Sequence, residues 1–319
     1  MNIKKVIKIN KVINIFKVAY SFFKDKFTGE NSKKVLPKIA YAGCFLISFV
    51  FFVILTFPYD SLKTRIMYEF SARQMGILSI SGLSYAFPFG LKFLGMEYYG
   101  TDSMKDVEFL KANYIKVRQS LFSLFTGKID LSFSSALYSG KSNGRIQLKK
   151  DGGRLYINTK NIEFGEYSPL SQLFGLKVTG RLNAMCDIED QGFNISKSNG
   201  EIDINIENFI MEESSFLSLF RLPKLTIQSI SGKAKITNGL LKVDTITLTG
   251  GDINGTANGE INLRHPFNNS ILDLQVRFMF SSVYQEKLKS ILDPLNIKQD
   301  PGGFYVMNIG GTAGLPRLK

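Results

Sequence analysis

The chain has 319 residues, 44 % of them hydrophobic, and a formal net charge of +13. Residues 1–38 contain ten Lys and only two acidic residues, so +8 of this charge lies there and +5 is spread over residues 39–319. A surplus that dilute is typical of a solvated surface and not of a phosphate-binding stripe, so we expect no nucleic-acid partner.

A basic tail, residues 1–38, opens the chain. Its Lys4, Lys5, Lys8 and Lys11 fall on one side of a helical projection, and most of the neighbouring Ile and Val residues fall on the other. This pattern is typical of an amphipathic helix that lies on an anionic leaflet. A flexible cytoplasmic extension is the alternative interpretation.

An uncharged run, Ile39–Phe57, follows the tail. At about 1.5 Å rise per residue, a helix of this length nearly crosses a bilayer core of about 30 Å, which predicts one transmembrane helix over residues 39–57. Because Lys and Arg beside a membrane helix stay on the cytoplasmic side, we expect a cytoplasmic N-terminus and a periplasmic remainder. The side chains predicted to contact inner-membrane lipid are Ile39, Phe45, Ile47, Phe51, Ile54 and Phe57.

Residues 58–74 are predicted to lead out of this anchor as a short helical or irregular segment. Pro58 ends the apolar run, and Leu62, Ile66 and Phe70 fall on one side of a helix drawn through the segment. A cleaved signal peptide is the alternative to an anchor, but residues 56–60 offer no small-x-small cleavage pattern.

Residues 75–319 alternate between apolar and polar side chains with a period of two, which predicts β-strands because strand side chains point to opposite faces in turn. No linker divides this region, so we expect a single β domain. The two clearest apolar strand faces are Ile202, Ile204 and Ile206, then Leu272, Leu274, Val276, Phe278 and Phe280. Hairpin turns are predicted at Ser142-Asn143-Gly144, Asp151-Gly152-Gly153, Ser198-Asn199-Gly200, Thr237-Asn238-Gly239 and Ala257-Asn258-Gly259.

The predicted fold class is mostly β: one N-terminal transmembrane helix, then an elongated, curled antiparallel sheet of about ten strands. The sheet can curl as a trough, a sandwich or a barrel. Ser168–Leu176 and Glu213–Phe220 are predicted as single helical turns or loops, and Ser281–Leu292 as an amphipathic helix. One-sided apolar strands normally make a packed core, and the alternative is a trough that holds phospholipid acyl chains.

Residues with catalytic or metal-binding chemistry are sparse. His265 is the only histidine and precedes Pro266 in a predicted turn, so it cannot build a zinc site without further ligands. Cys44 and Cys186 lie in separate regions, so we expect no disulfide. We expect no catalytic residue, no metal and no cofactor, because nucleophile elbows, phosphate-binding loops and dinucleotide fingerprints are absent from the sequence.

The order of short motifs resembles the N component of the bacterial type II secretion system, the general secretion pathway protein N family. The motifs are Phe57-Pro58, Ile80-Ser81-Gly82, Pro88–Leu91, Ser123–Lys128, Leu173–Gly180, Arg221–Leu225, Asn238–Asp252, Gly259–Phe267 and Ile309–Pro316. The resemblance spans residues 38–319 and leaves the basic tail outside. It implies an inner-membrane protein with a periplasmic β domain that works with other subunits of the secretion apparatus.

The strand-rich, Gly-punctuated sequence is also similar to the AsmA-like group. That similarity implies a long β-trough thought to conduct lipids between membranes. The leading expectation is therefore a non-catalytic secretion component, and the alternative is a lipid-binding or lipid-transfer trough.

Overall fold

A computed structural model describes residues 32–73, 76–100, 107–120, 122–123, 126–192, 194–216, 220–285, 297 and 299–319. The chain divides into two compact units, Met1–Pro58 and Tyr59–Lys319. Most of the predicted basic tail, residues 1–31, lies outside the described part of the chain.

The first unit contains one described helix, α1, which spans Ser32–Thr56. Large apolar side chains project from it on all sides, and Phe45 and Phe51 are 73 % and 61 % exposed. Of the other predicted lipid contacts, Ile47 is exposed and Ile54 is partly buried, while Phe57 is exposed one residue beyond the helix. Ile39 lies within α1, and its side chain falls outside the described part.

The predicted single transmembrane helix is not shown. Among the described residues, no one helix is both long and apolar enough to span a membrane. Ala40–Thr56 and Tyr59–Ala72, taken together as a bent pair, satisfy both requirements by length and composition.

The second unit begins with helix α2, Tyr59–Ala72. Its predicted apolar side, with Leu62, Ile66 and Phe70, is partly buried. The Phe70 ring meets the Tyr98 ring edge-on at 5.6 Å, and Lys63 Nζ donates to the Ser81 carbonyl at 3.5 Å. The lead-out segment is thus a helix that packs against the start of the sheet.

Sixteen described strands follow α2, interrupted by one described α-helix, α3, at Ser168–Phe174. The strands are β1 Ile77–Tyr85, β2 Gly90–Tyr99, β3 Glu108–Gln119, β4 Ile129–Leu137, β5 Gly140–Lys149, β6 Gly152–Glu163, β7 Val178–Gln191, β8 Asn194–Met211, β9 Ser214–Phe216, β10 Phe220–Leu222, β11 Leu225–Thr237, β12 Leu240–Gly251, β13 Ile253–Asn262, β14 Ile271–Phe280, β15 Tyr305–Thr312 and β16 Leu315–Leu318.

Fourteen of these strands form one antiparallel meander in which each strand pairs with the next along the chain. β9 and β10 form a separate hairpin between β8 and β11. The large sheet is not closed, because β1 and β16 each have one strand neighbour, and within the described residues no second large sheet faces it. Of the predicted alternatives, a closed barrel and a two-sheet sandwich are therefore wrong.

The meander gives the sheet two ends. Odd-numbered strands of the large sheet finish at one end, named the odd end, which carries the β1–β2, β3–β4, β5–β6, β7–β8, β11–β12, β13–β14 and β15–β16 connections. Even-numbered strands finish at the other, named the even end, which carries α3 and the β9–β10 hairpin.

Three predicted turns are instead strand interior. Ser142-Asn143-Gly144 lies within β5, Ser198-Asn199-Gly200 within β8 and Ala257-Asn258-Gly259 within β13. In each case the glycine sits against the neighbouring strand: a Cβ on Gly144 would lie 2.4 Å from the Tyr156 carbonyl oxygen, and one on Gly259 would lie 2.2 Å from that of Asp273. Glycine here permits close strand approach, which favours strong curvature of the sheet.

Other predicted elements have mixed outcomes. The turn at Asn238–Gly239 is confirmed, and both residues have positive φ. Glu213–Phe220 was predicted as a turn or a loop, and its described residues include β9 and the first residue of β10. Near the end of the chain, a turn at residues 300–303 leads into β15, and β16 follows it. Most of the predicted helix Ser281–Leu292 lies outside the described residues.

Candidate functional site

One row of apolar side chains crosses the entire large sheet on a single face. Strand register places one member of the row on each of the fourteen strands. In strand order the apolar row is Tyr85, Leu91, Val117, Phe133, Gly144, Ile157, Cys186, Ile202, Ala234, Val243, Gly259, Leu274, Ile309 and Leu318. None of these residues carries a charge, so the face they share is called the apolar face.

The predicted apolar residues of β8 and β14 lie on this same face. Ile204 is in register with Val276, and the residues between them on the three intervening strands are Gly232, Ile246 and Ala257. The same register connects Ile202 to Leu274 and Ile206 to Phe278, and it also places Leu272 and Phe280 on the apolar face. The structure therefore joins the two predicted strand faces into one surface.

Most of this surface is only partly buried. Of the eight predicted residues, Phe280 alone is buried, at 7 % exposure, whereas Ile202, Ile204 and Val276 are intermediate. A packed core would bury such side chains almost completely. Within the described residues, the middle of the apolar face is therefore uncovered.

The even end of the apolar face is packed by an aromatic cluster. Leu225, Phe280, Ile297 and Tyr305 are buried there, and Phe278 packs against them. The Tyr305 ring lies 5.7 Å from that of Phe278 and 5.9 Å from that of Phe280. Ile297 lies between β14 and β15 in the chain, and it is the described residue of that region that packs into the cluster.

The odd end of the apolar face instead holds a cavity of about 520 Å³. This volume falls within the range of about 300–1,000 Å³ that small-ligand pockets occupy. The Asp190 carboxylate, at its edge, accepts a hydrogen bond from the Gly153 backbone N–H at 2.8 Å. The apolar walls are Ile146, Leu148, Leu155, Ile188, Ile195 and Leu263, and Arg154, Asp190 and His265 also line the cavity.

The cavity is bounded where β8 runs past the β11–β12 turn. Beyond that turn, Ser196 Oγ donates to the Leu263 carbonyl at 3.1 Å. β8 and β13 are separated by two strands, which would hold them roughly 14 Å apart in a flat sheet. The direct hydrogen bond therefore shows that the segments on the two sides of the β11–β12 turn converge beyond it, where only Gly239 lies between them.

A chain of hydroxyl groups interrupts the apolar face beside the row. Ser135 and Ser142 are buried, at 4 % and 7 % exposure. Ser135 Oγ donates to the Ser142 carbonyl at 3.4 Å, and Ser142 Oγ lies 3.2 Å from Thr159 Oγ1. Because these hydroxyls bond to the protein itself, they add little polarity to the face.

Cys186 places a thiol in the middle of the apolar row. Burial raises the pKa of this thiol, and the neighbouring Asp187 charge adds to the effect. The neutral thiol therefore persists, as suits an apolar lining. Cys186 and Cys44 are both free.

The described residues contain no group of three or more His, Cys, Asp or Glu side chains arranged to hold a metal ion. His265, which we predicted in a turn before Pro266, is exposed, and it lines the cavity.

Sequence reasoning did not identify the cavity. Leu155 and Ile188 follow the same period-two alternation as the predicted strand faces, so the sequence could have predicted that both lie on the apolar face. Leu263 lies beyond the end of β13, and its approach to Ile195 depends on the convergence of two segments past the β11–β12 turn. No sequence signal marks that contact.

Comparison with known proteins finds no matching family model, no matching curated protein and no matching solved structure. These comparisons therefore identify no family for the chain.

Proposed function

We propose that this protein is a non-catalytic, membrane-anchored β-trough whose apolar face binds phospholipid acyl chains. The observation that carries the proposal is the apolar row, which runs across fourteen strands while most of its side chains stay only partly buried. Exposed apolar surface on this scale is costly in water and marks a binding surface.

An acyl chain fits the chemistry of this surface. Thirteen strand spacings of about 4.8 Å make the row roughly 60 Å long, which suits an extended, flexible apolar ligand. The cavity at the odd end adds an open, largely apolar pocket at one end of the face. The row has no charged side chain for a polar substrate, and the cavity has only Arg154, Asp190 and His265 among its described titratable lining residues.

The anchor in this proposal is α1. The run Ile39–Phe57 is uncharged, and most of its large side chains are exposed. Such a helix gains free energy by entering lipid. With the basic residues of the tail on the cytoplasmic side, the β domain lies in the periplasm of a bacterium and the anchor lies in its inner membrane.

Site-specific photocrosslinking tests the trough. A photoreactive amino acid replaces Ile202, which points into the apolar face, or Asp203, which points to the opposite face of the same strand. We expect phospholipid adducts at position 202 in full-length protein purified from membranes, and several-fold fewer at position 203. Equal labelling at both positions, or no lipid at position 202, would contradict the proposal.

A secretion-apparatus component is the second candidate function. The motif resemblance supports it, and so does the edge strand β16, on which Leu315 and Leu318 are 59 % and 47 % exposed. Apolar edge strands can pair with a strand of another protein. A photoreactive group at Leu315 should then capture another secretion subunit in cells, and capture of no such subunit at position 315 would argue against this function.

A further inference from the structure

Two adjacent connections at the odd end project aromatic side chains into solvent. Phe87 and Phe122 are 80 % and 88 % exposed, the highest values among the large hydrophobic side chains described. The Gln119 backbone N–H donates to the Phe89 carbonyl at 2.9 Å, and its side-chain amide donates to Ser123 Oγ at 2.6 Å. These bonds hold the β1–β2 and β3–β4 connections side by side.

Basic side chains lie on the two strands that adjoin these connections, on the face of the sheet opposite the apolar face, which is called the polar face. Lys92 on β2 is directly opposite Lys116 on β3, and Arg118 follows two residues along β3. Like charges placed directly opposite each other destabilise a sheet. Both Lys ammonium groups also lie near the Tyr114 ring, at 5.5 Å and 5.3 Å from its centroid.

No acidic side chain lies opposite these cations in strand register. Their partners on the flanking strands are Ser84, Gly90, Ser132 and Ser134. Arg118 Nε is buried and has no hydrogen-bond partner among the described residues. A buried guanidinium N–H without an acceptor is costly.

Several other cations of the polar face have acidic partners. Arg181 is directly opposite Glu163 and bonds to it at 2.9 Å, and Lys233 is directly opposite Asp203 at 3.5 Å. Further ion pairs fix three arginines, namely Arg145, Arg154 and Arg277. Lys141 and Lys160 are also directly opposed. The β2–β3 region differs from that pair because its cations lie on strands that adjoin the connections carrying the exposed Phe87 and Phe122.

We propose that Phe87, Phe122, Lys92, Lys116 and Arg118 form a docking surface for the surface of an anionic phospholipid bilayer. The phenylalanine rings enter the interfacial region, and the cations bind lipid phosphates. Charge complementarity favours this occupant, because three cations that lack acidic partners in strand register are attracted to the phosphates of the bilayer surface. The two exposed phenylalanine rings can enter the apolar region just below those phosphates. The cations lie on the opposite face from the acyl-binding trough, so the two proposals can fail separately.

The chain contains no Trp, so a single introduced Trp reports its own surroundings. Phe122→Trp is reconstituted as the full-length protein in vesicles of phosphatidylcholine with phosphatidylglycerol, and in vesicles of phosphatidylcholine alone. The matched control is Tyr156→Trp, at a partly exposed site on the polar face of β6. We expect a blue-shifted emission at position 122 and quenching by brominated lipid, both stronger in the anionic vesicles, and neither effect at position 156.

The charge requirement is tested in the Phe122→Trp background. Replacing Lys92, Lys116 and Arg118 with Gln should remove the difference between the two vesicle types, with a loss of roughly 5-fold in docking equilibrium for each charge removed. The control replaces Lys141 and Lys160, another directly opposed pair, located toward the even end. High salt should act as the triple replacement does.

Three results would overturn the proposal. One is an emission from the Phe122→Trp variant that matches that of Tyr156→Trp in both vesicle types. Another is an equal response in anionic and neutral vesicles, which would leave the cations without a role. The third is equal sensitivity to the Lys141 and Lys160 replacements, which would indicate an effect of net charge and not of this surface.

Discussion

The two ends of the apolar face carry similar side chains but differ in what covers them. At the even end, Ile297 packs in one cluster with Phe280 and Tyr305, and the three side chains are at most 8 % exposed. At the odd end, Ile188 and Ile195 line an open cavity. A strand with one apolar face therefore contributes to a core only where another segment of the chain packs on that face.

This difference assigns separate roles to the two ends. Complete burial of aromatic rings stabilises the fold at the even end. Partly buried aliphatic side chains contribute less to folding and leave apolar area available for a ligand. Stability and binding thus depend on different parts of one continuous face.

The largest effect should come from the aromatic cluster. Phe280→Ala removes a buried ring and leaves a cavity, so we expect the free energy of unfolding to fall by about 3–5 kcal/mol. Phe267→Ala is the control, because Phe267 is 54 % exposed. Urea denaturation of the full-length protein followed by circular dichroism measures both, and equal losses would contradict a packed even end.

The curvature of the sheet gives the next effect. A Cβ at Gly255 would lie 2.6 Å from the Arg277 carbonyl oxygen, so Gly255→Ala should cost about 1–3 kcal/mol by forcing β13 and β14 apart. At Gly82 the nearest atom would be 3.5 Å away, so Gly82→Ala should change stability by less than about 0.5 kcal/mol. The same denaturation measurement compares them, and a neutral Gly255→Ala would remove the argument for close strand approach.

A smaller effect is expected in the uncovered middle of the face. Ile204→Ala should cost about 1 kcal/mol, less than the roughly 2–5 kcal/mol typical of a fully packed Ile, because solvent or ligand already reaches the site. Added phospholipid should stabilise the unsubstituted protein more than this variant. A cost as large as that of Phe280→Ala would mean that the middle of the face is a packed core.

The smallest effect belongs to the polar face and depends on pH. Hydrogen bonding from Arg145 lowers the pKa of Asp130, burial opposes this shift, and Gln147 reinforces it. A carboxylate with a lowered pKa in the folded state stabilises the protein above the ordinary Asp value of about 3.9. This stabilisation is lost as the pH falls from that value through the lowered pKa.

Asp130→Asn should therefore cost up to about 1 kcal/mol at neutral pH, because Arg145 is 55 % exposed, and the cost should vanish in acid. Asp273→Asn is the control, since both partners of the Asp273–Lys319 pair are more than half exposed. Denaturation midpoints across acidic and neutral pH measure both variants. A cost for Asp130→Asn that does not change with pH would exclude the ion pair as its cause.

The local sequence pattern predicted much of the fold but little of the candidate site, the apolar face with its cavity. Period-two alternation identified β8 and β14 and the face of each that is apolar, because side-chain direction in a strand depends only on residue spacing. The Asn-Gly pairs were misleading at Gly144, Gly200 and Gly259, where a neighbouring strand and not a turn requires the missing Cβ. Local sequence cannot distinguish these two reasons for glycine.

The sequence by itself determined a β-rich chain with an uncharged segment near its start, one apolar face to its strands and few groups capable of catalysis. These properties follow from composition and short-range spacing. Only the tertiary structure decided that fourteen strands form one open sheet, that the even end is packed and that the odd end holds a cavity. Those outcomes depend on contacts between residues far apart in the chain, such as Ser196 with Leu263 on the two sides of the β11–β12 turn, which local residue spacing does not specify.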